Sequence, residues 1–304
     1  MKKGGGGDFP QQVEASVDFL SREVNLLSNQ ILPDSRKKRW QYYDLAFGPV
    51  RVERLELYES LFHQNASRPV RDILELGCGT GRWLTALSKR GYRMTGVDFD
   101  DAALNLAREK CKEMGLRVRL IEQDLASWAP DDSYDAVIAP NNALKWLPDH
   151  DLLRRCITQA ALALRPGSIL VLDLTFEEAN WRFCDWGTED ELREHAWVSK
   201  FTDTGVSGEY RCCCGVPNLD KGLILFIERF FCQEHSKEVV LEYKTTWLLF
   251  SAGEFTDWVL ETGLLENIKF YDRKAHIPIE LAQSDLEDVG GQCLMVCRRK
   301  SCLI

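Results

Sequence analysis

The sequence has no excess of basic residues, no long apolar run and no regular cysteine spacing, and each absence removes a class of function. Lysine plus arginine number 38 against 47 aspartate plus glutamate in 304 residues, a formal net charge of −9. Proteins that gather phosphate backbones present a basic field, so nucleic acid is disfavoured as a partner. No uninterrupted apolar stretch reaches the roughly 20 residues that span a bilayer. Met1 to Gly7 lacks the apolar segment of a secretory leader. A cytoplasmic protein without a membrane partner is expected. Ser301-Cys302-Leu303-Ile304 places its cysteine one position too late for a prenylation box. The 11 cysteines are scattered. In an extended segment Cys212, Cys213 and Cys214 would alternate between faces, and Cys293 and Cys297 have no second pair. Reduced thiols and no metal are expected.

What is present suits a globular chain, with 45% apolar and 28% charged residues. Residues 1–10 read as a flexible tail. Residues 11–66 read as a helical cap: Val13, Val17, Leu20, Val24, Leu27 and Ile31 form one stripe, and Val52, Leu55, Tyr58 and Phe62 predict a second inward face over about Val50 to His63. Between them, the basic run Ser35-Arg36-Lys37-Lys38-Arg39 is most simply a solvated face. Trp40, Tyr42, Tyr43 and Phe47 then crowd four aromatics into a short segment.

From 67 to 175 the rhythm is strand, helix, strand, with apolar runs at Asp72–Leu76, Arg93–Val97, Val118–Ile121, Tyr134–Ala139 and Ser168–Leu174. This alternation predicts a parallel sheet covered by helices on both faces. Residues 176–250 instead show extended segments joined by turns. Leu241, Tyr243, Thr245 and Trp247 share one face of the last, so an inserted antiparallel lobe is expected. Residues 251–304 open on the capping box Ser251–Glu254 and end in two strands that complete the core sheet.

The chemistry gathers at Ile73-Leu74-Glu75-Leu76-Gly77-Cys78-Gly79-Thr80-Gly81-Arg82. A strand that breaks into a glycine turn lets backbone approach a ligand where side chains would collide. Glu75, Asp98 and Asp124 stand at or near the ends of successive strands, 23 and 26 residues apart. In a parallel sheet such acids converge on one crevice beyond the strand tips. Asp98 can accept hydrogen bonds from two ribose hydroxyls; the competing reading is a cap for the helix that starts at Asp101. Asp124 can accept from an adenine amino group, with Leu125 against the ring. The glycine spacing is G-x-G-x-G, with Arg82 where the G-x-G-x-x-G dinucleotide fingerprint has its last glycine, which disfavours NAD.

Glu75-Leu76-Gly77-Cys78-Gly79-Thr80-Gly81, Gly96-Val97-Asp98, Gln123-Asp124-Leu125, Tyr134-Asp135-Ala136-Val137 and Leu164-Arg165-Pro166-Gly167, in this order, resemble the motifs of class I S-adenosylmethionine-dependent methyltransferases over about residues 70 to 175. The resemblance implies an α/β, doubly wound, seven-stranded, mostly parallel sheet with an antiparallel final hairpin. It implies S-adenosylmethionine as methyl donor and S-adenosylhomocysteine as product. The implied cofactor contacts are Glu75 and the glycines Gly77, Gly79 and Gly81, with Cys78 between them, near the methionine part, Asp98 on the ribose, Asp124 and Leu125 by the adenine, and Phe99 next to Asp98. Families that methylate exocyclic amines of bases or a glutamine amide carry Asn-Pro-Pro-Tyr where this chain has Pro140-Asn141-Asn142-Ala143. The layout is closer to small-molecule N- and O-methyltransferases, and on that basis Asn141 and Tyr43 join the expected cofactor contacts.

The expected partner is therefore a small-molecule methyl acceptor, for a chain that is a monomer or homodimer. Trp146, Trp181, Tyr210 and Arg211 are the candidate substrate contacts: the aromatics to cage an amine or stack on a ring, Arg211 to hold a carboxylate. His195 is the nominal base. The competing readings are a protein or RNA methyltransferase, or a methyltransferase-fold protein with other chemistry.

Overall fold

The computed structural model describes residues 33–176, 197–286 and 291–301. The helix expected over Val13 to Ile31 lies outside them. Two helices come first, α1 (Pro33–Phe47) and α2 (Val52–Asn65). The alternating core follows: β1 (Asp72–Leu76), α3 (Arg82–Lys89), β2 (Arg93–Asp98), α4 (Asp101–Glu113), β3 (Arg119–Glu122), β4 (Tyr134–Ala139), α5 (His150–Ala163) and β5 (Leu164–Thr175). A four-stranded lobe is built from β6 (Trp197–Asp203), β7 (Val206–Asn218), β8 (Leu223–Glu234) and β9 (Lys237–Leu248). The chain returns to the core as α6 (Ala252–Glu261), β10 (Leu265–Asp272), β11 (Glu280–Leu281) and β12 (Gln292–Arg299).

The central sheet has the order β11-β10-β12-β5-β4-β1-β2-β3. Strands β1 to β5 pair in parallel, and β12 runs antiparallel to both β5 and β10. The seven expected strands are thus present, with the two-residue β11 added at the edge. The order reverses between β1 and β4, and the crevice at such a switch point is where open α/β sheets bind ligands.

Side-chain parity along β1 assigns the two faces. Leu74 and Leu76 pack with α5 and α6 residues such as Leu153, Ile157 and Phe255. Ile73 packs with Tyr58, Leu61 and Trp83 of α2 and α3. Alternation puts Glu75 on this second face. On α2 the buried residues are Leu55, Leu57, Tyr58, Leu61 and Phe62, whereas Val52 is 54% exposed. Val52 sits at the helix start, before the stripe has turned onto the sheet, so the expected inward face begins one turn later.

The lobe is a single antiparallel sheet, β6-β7-β8-β9. Register places Tyr210 opposite Phe230, and Cys212, Glu228 and Tyr243 side by side on neighbouring strands. Helix α1 lies against this face: Tyr42 and Ala46 form a small core with Phe201, Tyr210, Phe230 and Cys232. The basic run at its start is not a plain solvated face. Arg36 and Lys37 pair with Asp101 and Glu109 of α4, while Lys38 and Arg39 pair with Glu234 and Glu228 of β8. Successive residues point in different directions around a helix, so one run of cations reaches acids on both sides of α1 and ties the core to the lobe. The three outer pairs are each worth only about 0.2–1 kcal/mol. Arg39–Glu228 is largely buried, with side chains 14% and 2% exposed, and losing one partner there costs about 3–5 kcal/mol.

Candidate active site

The turn after β1 is held by its own backbone. The N–H groups of Gly77 and Cys78 donate to the Val97 carbonyl at 2.8 and 3.0 Å, and Gly81 N donates to Cys78 O at 2.9 Å. Gly79 N donates to Asp98 Oδ2 at 2.7 Å. Phosphate-cradling loops keep such donors free for the ligand; here four are already spent. The glycines provide clearance instead. Gly77 has φ +67°, and a Cβ on it would lie 2.8 Å from Ala143 Cβ. A Cβ on Gly96 of β2 would meet Cys78 Sγ and Leu84 Cδ1, each at 2.7 Å. The Cys78 side chain is packed inside the core.

Two acids stand beneath this turn. Glu75 is 2% exposed, and its Oε2 has no hydrogen-bond partner. Burial, reinforced by the Asp98 charge, pushes its carboxyl well above the usual range, with Arg82 opposing. Asp98, 8% exposed, accepts from Gly79 N and, through Oδ1, from Asp100 N at 2.9 Å. Burial raises its carboxyl despite those bonds. Each oxygen keeps a further lone pair. The helix cap competing for Asp98 is supplied by Asp100, which accepts from the N–H groups of Ala102 and Ala103. Phe99 is 69% exposed beside them. Asp124 is exposed and closes a local turn with Ala126 N at 2.9 Å. Leu125 lies buried at the edge of the loop, packed with the sheet's core.

Beyond β4, Asn141 and Asn142 both adopt positive φ, +54° and +60°. Asparagine tolerates this conformation. Their roles separate by burial: Asn142 is buried and exchanges hydrogen bonds with Thr175, whereas the Asn141 side chain is exposed at the strand tips. The fully buried Asp173 fixes this turn. It accepts from Asn141 N, and it pairs with Arg54 of α2 at 2.9 Å and with Arg273 at 3.2 Å. The short helical turn Ala143–Trp146 then passes over Gly77 and ends at Trp146.

Helix α1 and the lobe close the other side. Trp40 donates through Nε1 to Asp100 Oδ2 at 2.9 Å, and its ring edge would lie 3.8 Å from a Cβ on Gly79. Tyr43 packs between Trp40 and Phe47, near Arg82, and burial pushes its hydroxyl up to about 12. Trp146 meets Phe226 and Trp247 of the lobe edge-on, at ring separations of 5.7 and 5.9 Å. Tyr210 is 2% exposed and donates to Glu228 Oε1 at 2.8 Å. Arg211 is a correction. Its neighbour Tyr210 faces α1, so strand alternation turns Arg211 to the outer face, where it pairs with Glu209 and Phe231. Trp181 and His195 lie outside the described residues.

The structure also adds residues that the sequence reading passed over: Arg39, Trp40, Asp173, Glu228 and Trp247. Arg39 and Trp40 end a charge run and open an aromatic one. Glu228 is a lone acid in the inner alternation of Leu223–Cys232, and a charge at an apolar position was the signal available.

Comparison with known proteins matches this geometry to one family. The methyltransferase domain family matches residues 73–167. A trans-aconitate 2-methyltransferase from Sinorhizobium medicae is 33% identical over 67% of this chain and 77% of its own length. One from an Enterobacter species is 28% identical over 80% of this chain and 90% of that protein. Matches to further trans-aconitate 2-methyltransferases span less than half of those proteins. Among solved structures, an amino pentose methyltransferase from Micromonospora echinaspora with S-adenosylmethionine bound superposes with a TM-score of 0.62, covering 98% of this chain and 100% of that one at 16% identity. The chain belongs to the class I S-adenosylmethionine-dependent methyltransferases, in the branch whose named relatives act on small molecules.

Proposed function

We propose that the chain transfers a methyl group from S-adenosylmethionine to a small molecule held between the strand tips, α1 and the lobe. The buried Oε2 of Glu75 carries this reading. An orphaned anion costs stability unless a ligand supplies positive charge, and the methionine part of the cofactor brings an ammonium and a sulfonium. Gly77, Gly79, Gly81 and the Cys78 backbone give that part close approach, and the exposed Asn141 amide and the Tyr43 ring border it. Asp98, with lone pairs to spare, is assigned to the ribose hydroxyls beside Phe99. Asp124 is assigned to the adenine edge. The fit extends to what the turn lacks: its N–H groups are consumed internally, which suits a cofactor without phosphates.

Bound there, the cofactor supplies an electrophilic methyl group, and the residues of the chain have only to align an acceptor and exclude water. The lobe from 176 to 250 is assigned as the roof of the acceptor pocket, with Trp146 and Tyr210 on its border. We place the protein in the cytoplasm, as a monomer or homodimer; no helix among the described residues is long and apolar enough to cross a membrane. Calorimetry with S-adenosylmethionine, S-adenosylhomocysteine and NAD tests the cofactor: heat with the first two and none with NAD is expected. Folded protein that gives no heat with either sulfur compound would sink the reading.

A further inference from the structure

A cavity of about 490 Å³ lies at the end of the central sheet opposite the glycine turn, at the beginnings of β1 to β4. It arises where a covering layer is thin. Right-handed crossovers place the β3-to-β4 connection on the face of the sheet that α5 covers, but residues 123–133 form a loop with no helix. Leu125 and Trp128 of that loop pack into the core, and neither reaches the cavity wall. Asp72, Arg93, Thr95, Arg119 and the buried Tyr134 line it. Strand pairing sets them side by side: Asp72 is opposite Arg93 across β1 and β2, and Thr95 is opposite Arg119 across β2 and β3. Alternation gives Asp72, Arg93, Thr95 and Arg119 the same face as Leu74, Val97 and Ile121, so their side chains gather on one side of the sheet. Arg117, Asp132, Ser133 and Arg165 complete the polar wall.

The charge of this cavity runs against that of the protein. Four arginines and two aspartates line it, in a chain whose net charge is −9. Both acids are engaged. Asp72 accepts from Arg93 and Arg165, and Asp132 accepts through Oδ1 from Ser133 N at 2.7 Å. Behind them, Asp135 pairs with Arg165 at 2.9 Å and Asp131 with Arg119 at 3.1 Å. The cations keep donors in reserve. A guanidinium carries five N–H groups; among the described residues Arg93 keeps Nη1 open, Arg165 keeps Nε and Nη2, Arg119 keeps Nε, and Arg117 keeps all of its own. Guanidinium groups arriving from several strands suit the tetrahedral oxygens of a phosphate. A phosphate ester carries close to two negative charges at neutral pH, which answers the excess of four arginines over two aspartates. The volume falls in the range of small-molecule sites, about 300–1,000 Å³, so there is room for a body beyond the phosphate. We infer that this cavity binds a small phosphorylated molecule, with Arg93, Arg117, Arg119 and Arg165 directed to its phosphate oxygens. Strand β2 runs from Arg93 at this end to Asp98 at the other, about 17 Å at 3.3 Å per residue. The ligand is therefore neither the cofactor nor the methyl acceptor, and the site stands independently of the function proposed above.

The test titrates the full chain by calorimetry with pyrophosphate and with ribose 5-phosphate, at an ionic strength held constant with sodium chloride so that general screening cancels. Neither probe carries an adenine or a methionine part, so neither imitates the cofactor. Saturable heat with at least one of them is expected, unchanged when S-adenosylhomocysteine is present. Arg117→Ala should weaken that binding about 5-fold, and Arg117→Ala combined with Arg119→Ala about 25-fold. Both side chains are exposed, so the free variants should melt at the wild-type temperature. No saturable heat with either probe would overturn the inference. Heat abolished by S-adenosylhomocysteine would overturn it too, because the phosphate would then occupy the cofactor's place. Wild-type affinity in the double variant would remove the arginines from the site and the inference with them.

Discussion

Replacing Glu75 with glutamine preserves the shape of the side chain and removes its charge. In the structure, Glu75 is 2% exposed with Oε2 unpartnered, and burial together with Asp98 holds its carboxyl well above the ordinary 4.5. An acid whose folded-state value is raised favours the folded state most below its unfolded value. That contribution is lost as pH rises through the raised value. Above pH 4.5 the unfolded chain ionises at this position while the buried folded carboxyl resists, so the wild type without cofactor bears a destabilisation that Glu75→Gln does not. Relief of an unsatisfied buried group is about 1–3 kcal/mol, which corresponds to a Tm higher by roughly 1.5–5 °C in a chain of this size. The gain should shrink as pH falls toward 4.5, where both forms are neutral. The same substitution removes a charged partner of the cofactor's methionine part and should weaken S-adenosylhomocysteine binding by about 1.5–3 kcal/mol. Thermal denaturation at pH 5 and 8, with calorimetry at pH 8, reads both effects. A Tm at pH 8 equal to or below the wild type's would refute the description of Glu75 as a strained anion. Unchanged affinity would refute its assignment to the cofactor.

Gly96→Ala should lower Tm with a loss of about 1–3 kcal/mol, because the new methyl would sit 2.7 Å from Cys78 Sγ and Leu84 Cδ1; a neutral result would mean that the turn can shift away. Arg54→Met removes one of two cations from the fully buried Asp173, and a loss of about 3–5 kcal/mol is expected in denaturant melts. Asp98→Asn should weaken S-adenosylhomocysteine binding by about 2–3 kcal/mol through the hydrogen bonds assigned to the ribose, and calorimetry that finds full affinity would move the ribose elsewhere. Burial pushes the Cys156 and Cys297 thiols up to about 12, so at pH 8 neither should react with iodoacetamide until the protein unfolds, which mass spectrometry of the labelled chain would show.

The amino-acid sequence by itself determined the cofactor half of the molecule. Apolar runs of strand length, separated by helical patterns, dictate the β1–β5 alternation because their periodicity is local. The glycines at 77, 79 and 81 take positive φ that side chains resist, and the acids recur at the length of one strand-plus-helix unit, so Glu75 and Asp98 meet at the tips of adjacent strands. The antiparallel lobe was legible for the same reason, as period-two segments between turns. Only tertiary structure decided which face of the lobe looks inward, because alternation fixes that Tyr210 and Arg211 oppose each other and not which of them faces α1. It likewise chose Asp100 over Asp98 as the cap of α4, a choice between carboxylates two residues apart that the sequence leaves degenerate. The ion pair of Arg39 with Glu228 joins residues 189 apart. No local pattern encodes such a pair, since its energy arises only when α1 is laid across the lobe and both charges leave water together. The basic run at 35–39 therefore reads as surface in one dimension and as the clasp between core and lobe in three.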